Sequence, residues 1–230
     1  MGIIFSIIIL LMFDKFNWIE FFGKYASEEF SYIGSFLSGI TGPLFGILSF
    51  IGIILTILYQ VKTNKLSREE QSLFELLKNQ SEIVKSTVID LKNYRKEGRD
   101  CYSYLYRNKF KAVYNYQLNS LPSQGHNKRI RDAFDLFFSK QRIHFEHNFR
   151  SITTILKYIN TSELPDKKEK VKILSSQLSE YEILLFFYYG LSDKCDSKLK
   201  KIIIDLEFFS YLPVSELLND DHINEYNASE

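Results

Sequence analysis

The stretch "HFEHNFRSITTILKYI", residues 144–159, gathers His144, Glu146, His147 and Arg150 within seven positions. Imidazoles carry protons or bind metals near neutral pH, and a guanidinium binds carboxylate or phosphate in a fixed fork. His144 and His147 at i, i+3 open a metal site only if a third ligand follows at a suitable spacing, and none does. A protease-like HExxH is also absent, so neither a metal nor a cofactor is expected. Cys101 and Cys195 lie far apart with no CxxC spacing, which excludes a disulfide framework and reads as two reduced core thiols.

The element that must position these groups is a helix. At 100 degrees per residue, Phe145, Phe149, Ile152, Leu156 and Ile159 fall on one side, while His147, Arg150, Thr154 and Tyr158 fall roughly opposite. The polar set is a coherent face, either solvated or turned toward a second element.

Charge divides the chain. Its 29 basic and 28 acidic residues nearly cancel, so no global field points to nucleic acid or an acidic substrate. Residues 1–61, however, hold only Lys15 and Lys24 against Asp14, Glu20, Glu28 and Glu29, and no charge occurs between Phe30 and Val61. Pro43 to Val61, extended by the preceding "ITG", is long enough as a helix to cross a hydrocarbon core of about 30 Å, with Pro43 in its first turn. Gly42, Gly46, Ser49, Gly52 and Thr56 recur at spacings of four, three, three and four, a small-residue face that admits another helix closely. Gly2 to Phe13 would reach only about 18 Å and needs "DKFNWIEFF" to complete a first span. Lys62, Lys65 and Arg68 follow the second span, which places everything after it, and the amino terminus, on the cytoplasmic side of the inner membrane.

The remainder reads as helices. Leu66, Leu73, Leu77, Val84, Val88 and Leu91 form a stripe that predicts a stalk helix over 62–97, interrupted by Gln80 and ended by Gly98. A tyrosine-rich helix over Asp100–Leu118, a loop over Asn119–Asn127 and a helix over Lys128–Asn160 follow. Then come a helix through Leu178, a capping-box restart at Ser179 to Glu182, and a last helix stopped at Pro213. The tail 219–230 is polar and is expected to fray. No segment alternates with period two long enough for a sheet. The fold class is all-α: amino-terminal transmembrane helices over 1–61, the stalk, then a cytoplasmic helical bundle over 98–218.

Two resemblances bear on function. Arg142 and His147 in "RIHFEH" fit R-x4-H, the motif of helical HEPN ribonucleases, although chance alone supplies about 0.4 such matches in a chain of this composition. More extensively, "GSFLSGITGPLFGILSFIGIILTILYQ", "FELLKNQSEIV", "HNFRSITTILKYI", "LSSQLSEYEILLFFYYGLS" and "KLKKIIIDLEFFSYL", in that order, resemble the phage abortive-infection family of AbiC type. The likeness covers about Gly34 to Leu212 and is carried most by His147, Phe149 and Arg150 and by Gln177, Leu178, Ser179 and Glu182.

This family resemblance implies membrane helices, a helical cytoplasmic domain, and a role in which an infected bacterium stops growing or dies before phage matures. On that footing Arg150 and Glu182 are expected to pair across two helices, with His147 and Gln177 beside them, as a buried polar link or as a place of ligand or partner recognition. The expected partners are the membrane, further copies of the chain, and a phage-derived or defence-system protein or nucleic acid as trigger. The leading expectation is an effector with no enzymatic centre that oligomerises and damages the inner membrane. Its rivals are a membrane-tethered ribonuclease using Arg142 and His147 and a non-toxic membrane scaffold.

Overall fold

The computed structural model describes residues 28–120 and 125–227. It divides into two compact units, residues 1–63 and 64–230. Residues 1–23, where a first span is expected, lie outside the described residues.

Helix α1 runs from Glu28 to Ser86. It starts earlier than the sequence indicated, so Pro43 lies inside it rather than in its first turn. Lacking an N–H, Pro43 cannot donate to the carbonyl of Gly39, and one rung of the ladder is missing there. Within the first unit the apolar side chains from Phe36 to Val61 are exposed all round, Phe36 at 69% and Tyr59 at 72%. From Ile40 to Val61 the helix is about 33 Å long, and α1 is the one helix among the described residues long and apolar enough to cross a membrane. A Cβ added at Gly42, Gly46 or Gly52 would meet nothing within 4 Å, so the small-residue face is open. Thr56 donates its hydroxyl back to the carbonyl of Gly52 at 2.8 Å, so that donor is satisfied within the helix.

In the second unit the same helix becomes amphipathic. Leu73, Leu77 and Val84 are buried, while Phe74 stays exposed. Polar ties fasten this stretch to the segment after residue 157. Tyr158 donates to the carbonyl of Glu69 at 3.0 Å, the Glu163 N–H donates to the Glu69 carboxylate at 2.9 Å, and Lys65 pairs with Glu163.

The helix does not reach residue 97. It stops at Ser86, and a hairpin follows: β1, Val88–Asp90, antiparallel to β2, Arg95–Glu97, in the register Ile89 opposite Lys96. β-branched Thr87, Val88 and Ile89 give up the helix, and the Leu91 N–H donates to the carbonyl of Tyr94 at 2.9 Å to close the turn. Gly98 then takes φ +58°, a left-handed angle that returns the chain to helix.

Helix α2 spans Arg99–Tyr104, widens through a π-turn at Leu105–Phe110, and continues as α3, Lys111–Ser120. The single helix expected over Lys128–Asn160 is two: α4, His126–Gln141, and α5, Glu146–Thr161, separated by a 3-10 turn at Arg142–His144. Phe145, at φ −136°, breaks the helix because its ring turns into the core and stacks in parallel on Phe137 at 5.2 Å.

Helices α6, Lys167–Gln177, α7, Glu180–Leu191, and α8, Ser197–Asp205, complete the bundle. The last of these stops well short of Pro213, because Glu207 adopts a left-handed φ of +52° and a 3-10 turn follows at Phe208–Tyr211. The described part of the tail, expected to fray, is helical instead. It forms α9, Asp221–Asn227, whose His222 is buried with Nδ1 3.0 Å from the Tyr188 hydroxyl. Helix α7 is the hub, its Leu184 to Tyr188 fully buried, with Tyr188 against Phe110 and Phe186 against Phe149 and Phe208.

Cys101 and Cys195 are both free and buried. Burial raises both thiols, Cys195 to about 11. A folded-state pKa above the unfolded one means the protonated form favours the native state. That contribution is full below about pH 9 and is lost as the pH climbs through 11. Denaturant unfolding of the chain across this range should therefore show stability falling with rising pH, and Cys195→Ala should flatten the fall; an identical slope in the variant would remove the assignment. Gly98→Ala should cost about 1–2 kcal/mol from its left-handed φ, read as a lowered thermal midpoint.

Candidate functional site

A fully buried carboxylate organises the centre of the bundle. Glu182 sits in the first turn of α7 with no exposed surface. Ser179 caps that helix, and its N–H and hydroxyl donate to Glu182 Oε2 at 2.9 and 2.6 Å, while the Glu182 N–H donates back to Ser179 Oγ at 3.4 Å. The other oxygen, Oε1, accepts from Asn148 Nδ2 on α5 at 3.0 Å and from Gln80 Nε2 on α1 at 3.4 Å. Gln80 also donates to Asn148 Oδ1 at 3.1 Å, closing a triangle of three side chains from three helices. Gln80 and Asn148 are each only 1% exposed.

The compensating charge is Arg99 at the start of α2, with Nε 3.9 Å from Glu182 Oε2 and Nη2 donating to the carbonyl of Gln177 at 2.6 Å. Tyr102 lines the same region, its hydroxyl 3.4 Å from that of Thr87 and its ionisation pushed far up, chiefly by burial. A buried carboxylate is tolerated only where donors replace its water, and here the donors come from four segments. Each hydrogen bond to such a charge contributes about 1.5–3 kcal/mol, so the node holds α1, α2, α5 and α7 in one arrangement.

The residues singled out in the sequence separate. Glu182 is in the node, and Gln177 reaches it through its backbone carbonyl rather than its side chain. Arg150 does not meet Glu182. It is exposed and pairs with Glu146 one turn back at 2.8 Å, an i, i+4 contact worth about 0.3–0.5 kcal/mol. The difference is one of helical phase: position 148, not 150, faces α7, because the break at Phe145 sets where α5 begins. His147 is exposed, and Arg142 stands exposed in the 3-10 turn on the far side of that break, so the two do not share a continuous helix. No group of three or more His, Cys, Asp or Glu side chains that could hold a metal ion occurs among the described residues.

Gln80, Asn148 and Arg99 were not among the residues the sequence reading selected. Gln80 had left a signal as the polar interruption in the Leu73, Leu77, Val84 stripe. Asn148 precedes Ile152, Ile155 and Ile159 at spacings of four, three and four, a polar residue in the core row. Arg99, next to a glycine, carries no such mark.

A second feature lies on the outer side of α5 and α7. Phe138, Phe149 and Tyr189 form the floor of an open groove of about 340 Å³, rimmed by Glu146, Arg150, Thr153 and Thr154.

Residues 140–217, about a third of the chain, match the model of the family described as "Putative phage abortive infection protein", the one its motifs resemble. The match takes in Asn148, Gln177, Ser179 and Glu182 of the node, while Gln80 and Arg99 lie outside it. No curated protein and no solved structure matches the chain.

Asn148→Leu removes a donor to the carboxylate and an acceptor for Gln80 and should cost about 2–3 kcal/mol in denaturant unfolding, whereas His147→Ala should stay within about 0.5 kcal/mol. Equal effects of the two changes would contradict the placement of the node.

Proposed function

We propose that this chain is a membrane-anchored abortive-infection effector that acts on the inner membrane when its helical domain is triggered. The observation that carries the reading is α1 itself. Its stretch from Phe36 to Val61 is apolar and exposed on every side, and in water such a surface is unfavourable by roughly 25 cal/mol for each Å². Lipid removes that cost. Lys62, Lys65 and Arg68 at the end of the apolar stretch favour the cytoplasm for residues 64–230.

The same helix carries Gln80, so a signal that disturbs the node acts on the element that enters lipid. The small-residue face at Gly42, Gly46, Ser49, Gly52 and Thr56 suits close self-association of α1 from several copies. The family matched by residues 140–217 supports the abortive-infection role, and the small-residue face supports killing by assembly in the membrane.

The test compares the full chain with a version lacking residues 1–61 during phage infection, scoring survival and entry of a membrane-impermeant dye. The full chain should admit dye and kill, and the truncated one should do neither. Killing by the truncated chain, or death with an intact membrane potential, would contradict the proposal.

A further inference from the structure

We propose that residues 213–227 form a strap that acid releases from the bundle, with protonation of His222 as the event that frees it. The strap comprises the 3-10 turn Val214–Glu216 and helix α9. Its polar attachments converge on tyrosines. The Tyr106 hydroxyl donates to the carbonyl of Glu216 at 2.6 Å, and the Leu218 N–H donates to the Tyr188 hydroxyl at 2.9 Å. His222 then meets Tyr188 through Nδ1 at 3.0 Å and Tyr114 through Nε2 at 3.5 Å.

The apolar grip of the strap is partial. Leu217, Leu218, Ile223 and Tyr226 are half-buried, and His222 is the one fully buried side chain among the described residues of this segment. Tyr226 leans on Phe187 and Phe209 with ring centroids at 5.8 and 5.3 Å. A cleft of about 190 Å³ nevertheless remains between Ile223 and Tyr226 on one side and Ile204, Phe209 and Leu212 on the other. The histidine is the anchor of α9.

Its seat fits a neutral imidazole. Tyr188 accepts from the Leu218 N–H and donates its own hydrogen to Nδ1, which leaves Nε2–H to donate to the Tyr114 oxygen. A second ring proton sets one donor against another at Tyr188 and places a cation on a group with no exposed surface. The charged groups whose fields reach these tyrosines are Arg129 on α4 and Asp221 on α9, acting on Tyr114, and Glu216, acting on Tyr106. Arg129 repels an imidazolium; Asp221 is exposed to water, and Glu216 is 3.6 Å from Arg107, so neither replaces the lost hydration. A solvated imidazole takes its proton near about pH 6.5. The released strap therefore binds a proton that the closed one does not, and closure is full above about pH 7.5 and about tenfold weaker at pH 5.5. Release uncovers the rings of Phe187 and Phe209 that Tyr226 shields. The device is independent of how the effector kills.

The experiment is amide hydrogen exchange of the full chain in detergent micelles at pH 7.5 and 5.5, with protection corrected for the pH dependence of intrinsic exchange. Protection across residues 213–227 should fall about tenfold at the lower pH while residues 183–191 of α7 keep theirs. Combining His126→Gln, His144→Gln and His147→Gln leaves His222 as the last of the four histidines, and this variant should keep the full response. His222→Gln should abolish it, whether its strap is then closed at both pH values or open at both. Strap protection unchanged by pH in the unaltered chain, a response lost with the other three histidines, or one that survives in His222→Gln would each overturn the proposal.

Discussion

Removing the Glu182 carboxylate from water imposes a demand that the rest of the bundle meets. A single buried carboxylate unpaired would be intolerable, and the chain answers with an amide from α1, an amide from α5, a helix cap at Ser179 and a guanidinium from α2. Of these donors only Ser179 is near Glu182 in sequence. The aromatic core around α7 fills space and is tolerant of exchange among similar shapes. The polar node is not, because its donors reach their acceptors only in one geometry. Among many ways of collapsing the same phenylalanines, it selects this one.

That constraint gives α1 two characters within one continuous helix. From Phe36 to Val61 it is apolar on all sides; beyond Asn64 it is a stripe helix whose buried face includes Gln80. Glu69 and Lys65 tie the start of the second part to the turn after α5, and Gln80 ties its end to α5 and α7. Polar ties at both ends leave the intervening Leu73 and Leu77 contacts to exclude water. A helix held this way reports on the bundle: whatever shifts α5 against α7 changes the contacts of Gln80.

The helical class, the apolar amino-terminal helix and the capping box at Ser179 were legible because each rests on local pattern: period 3.6, a run of uncharged residues, a Ser and a Glu three apart. The hairpin at Val88 to Glu97 was not, since its three-residue strands are too short for a period to register, and the stripe through Val88 and Leu91 mimicked continuing helix. Neither was the break at Phe145, which is set by where the ring finds its place against Phe137 rather than by any glycine or proline. That break shifts the phase of α5, and with it the identity of the residue facing Glu182. Hence Glu182 could be singled out from its own helix, while its partner had to be found in space: Asn148 instead of Arg150. The short α9 was hidden by its polarity; what holds it is a buried histidine between two tyrosines and the Tyr226 ring against Phe187 and Phe209, a tertiary arrangement no local window contains.

The central claim is that Gln80 and Glu182 are energetically joined, so that the helix bearing the apolar stretch is gripped by the bundle through them. A double-mutant cycle with Gln80→Leu and Glu182→Gln, followed by denaturant unfolding of the four proteins, measures this directly. The account predicts a coupling of about 1 kcal/mol or more. Effects of the two changes that simply add would contradict it.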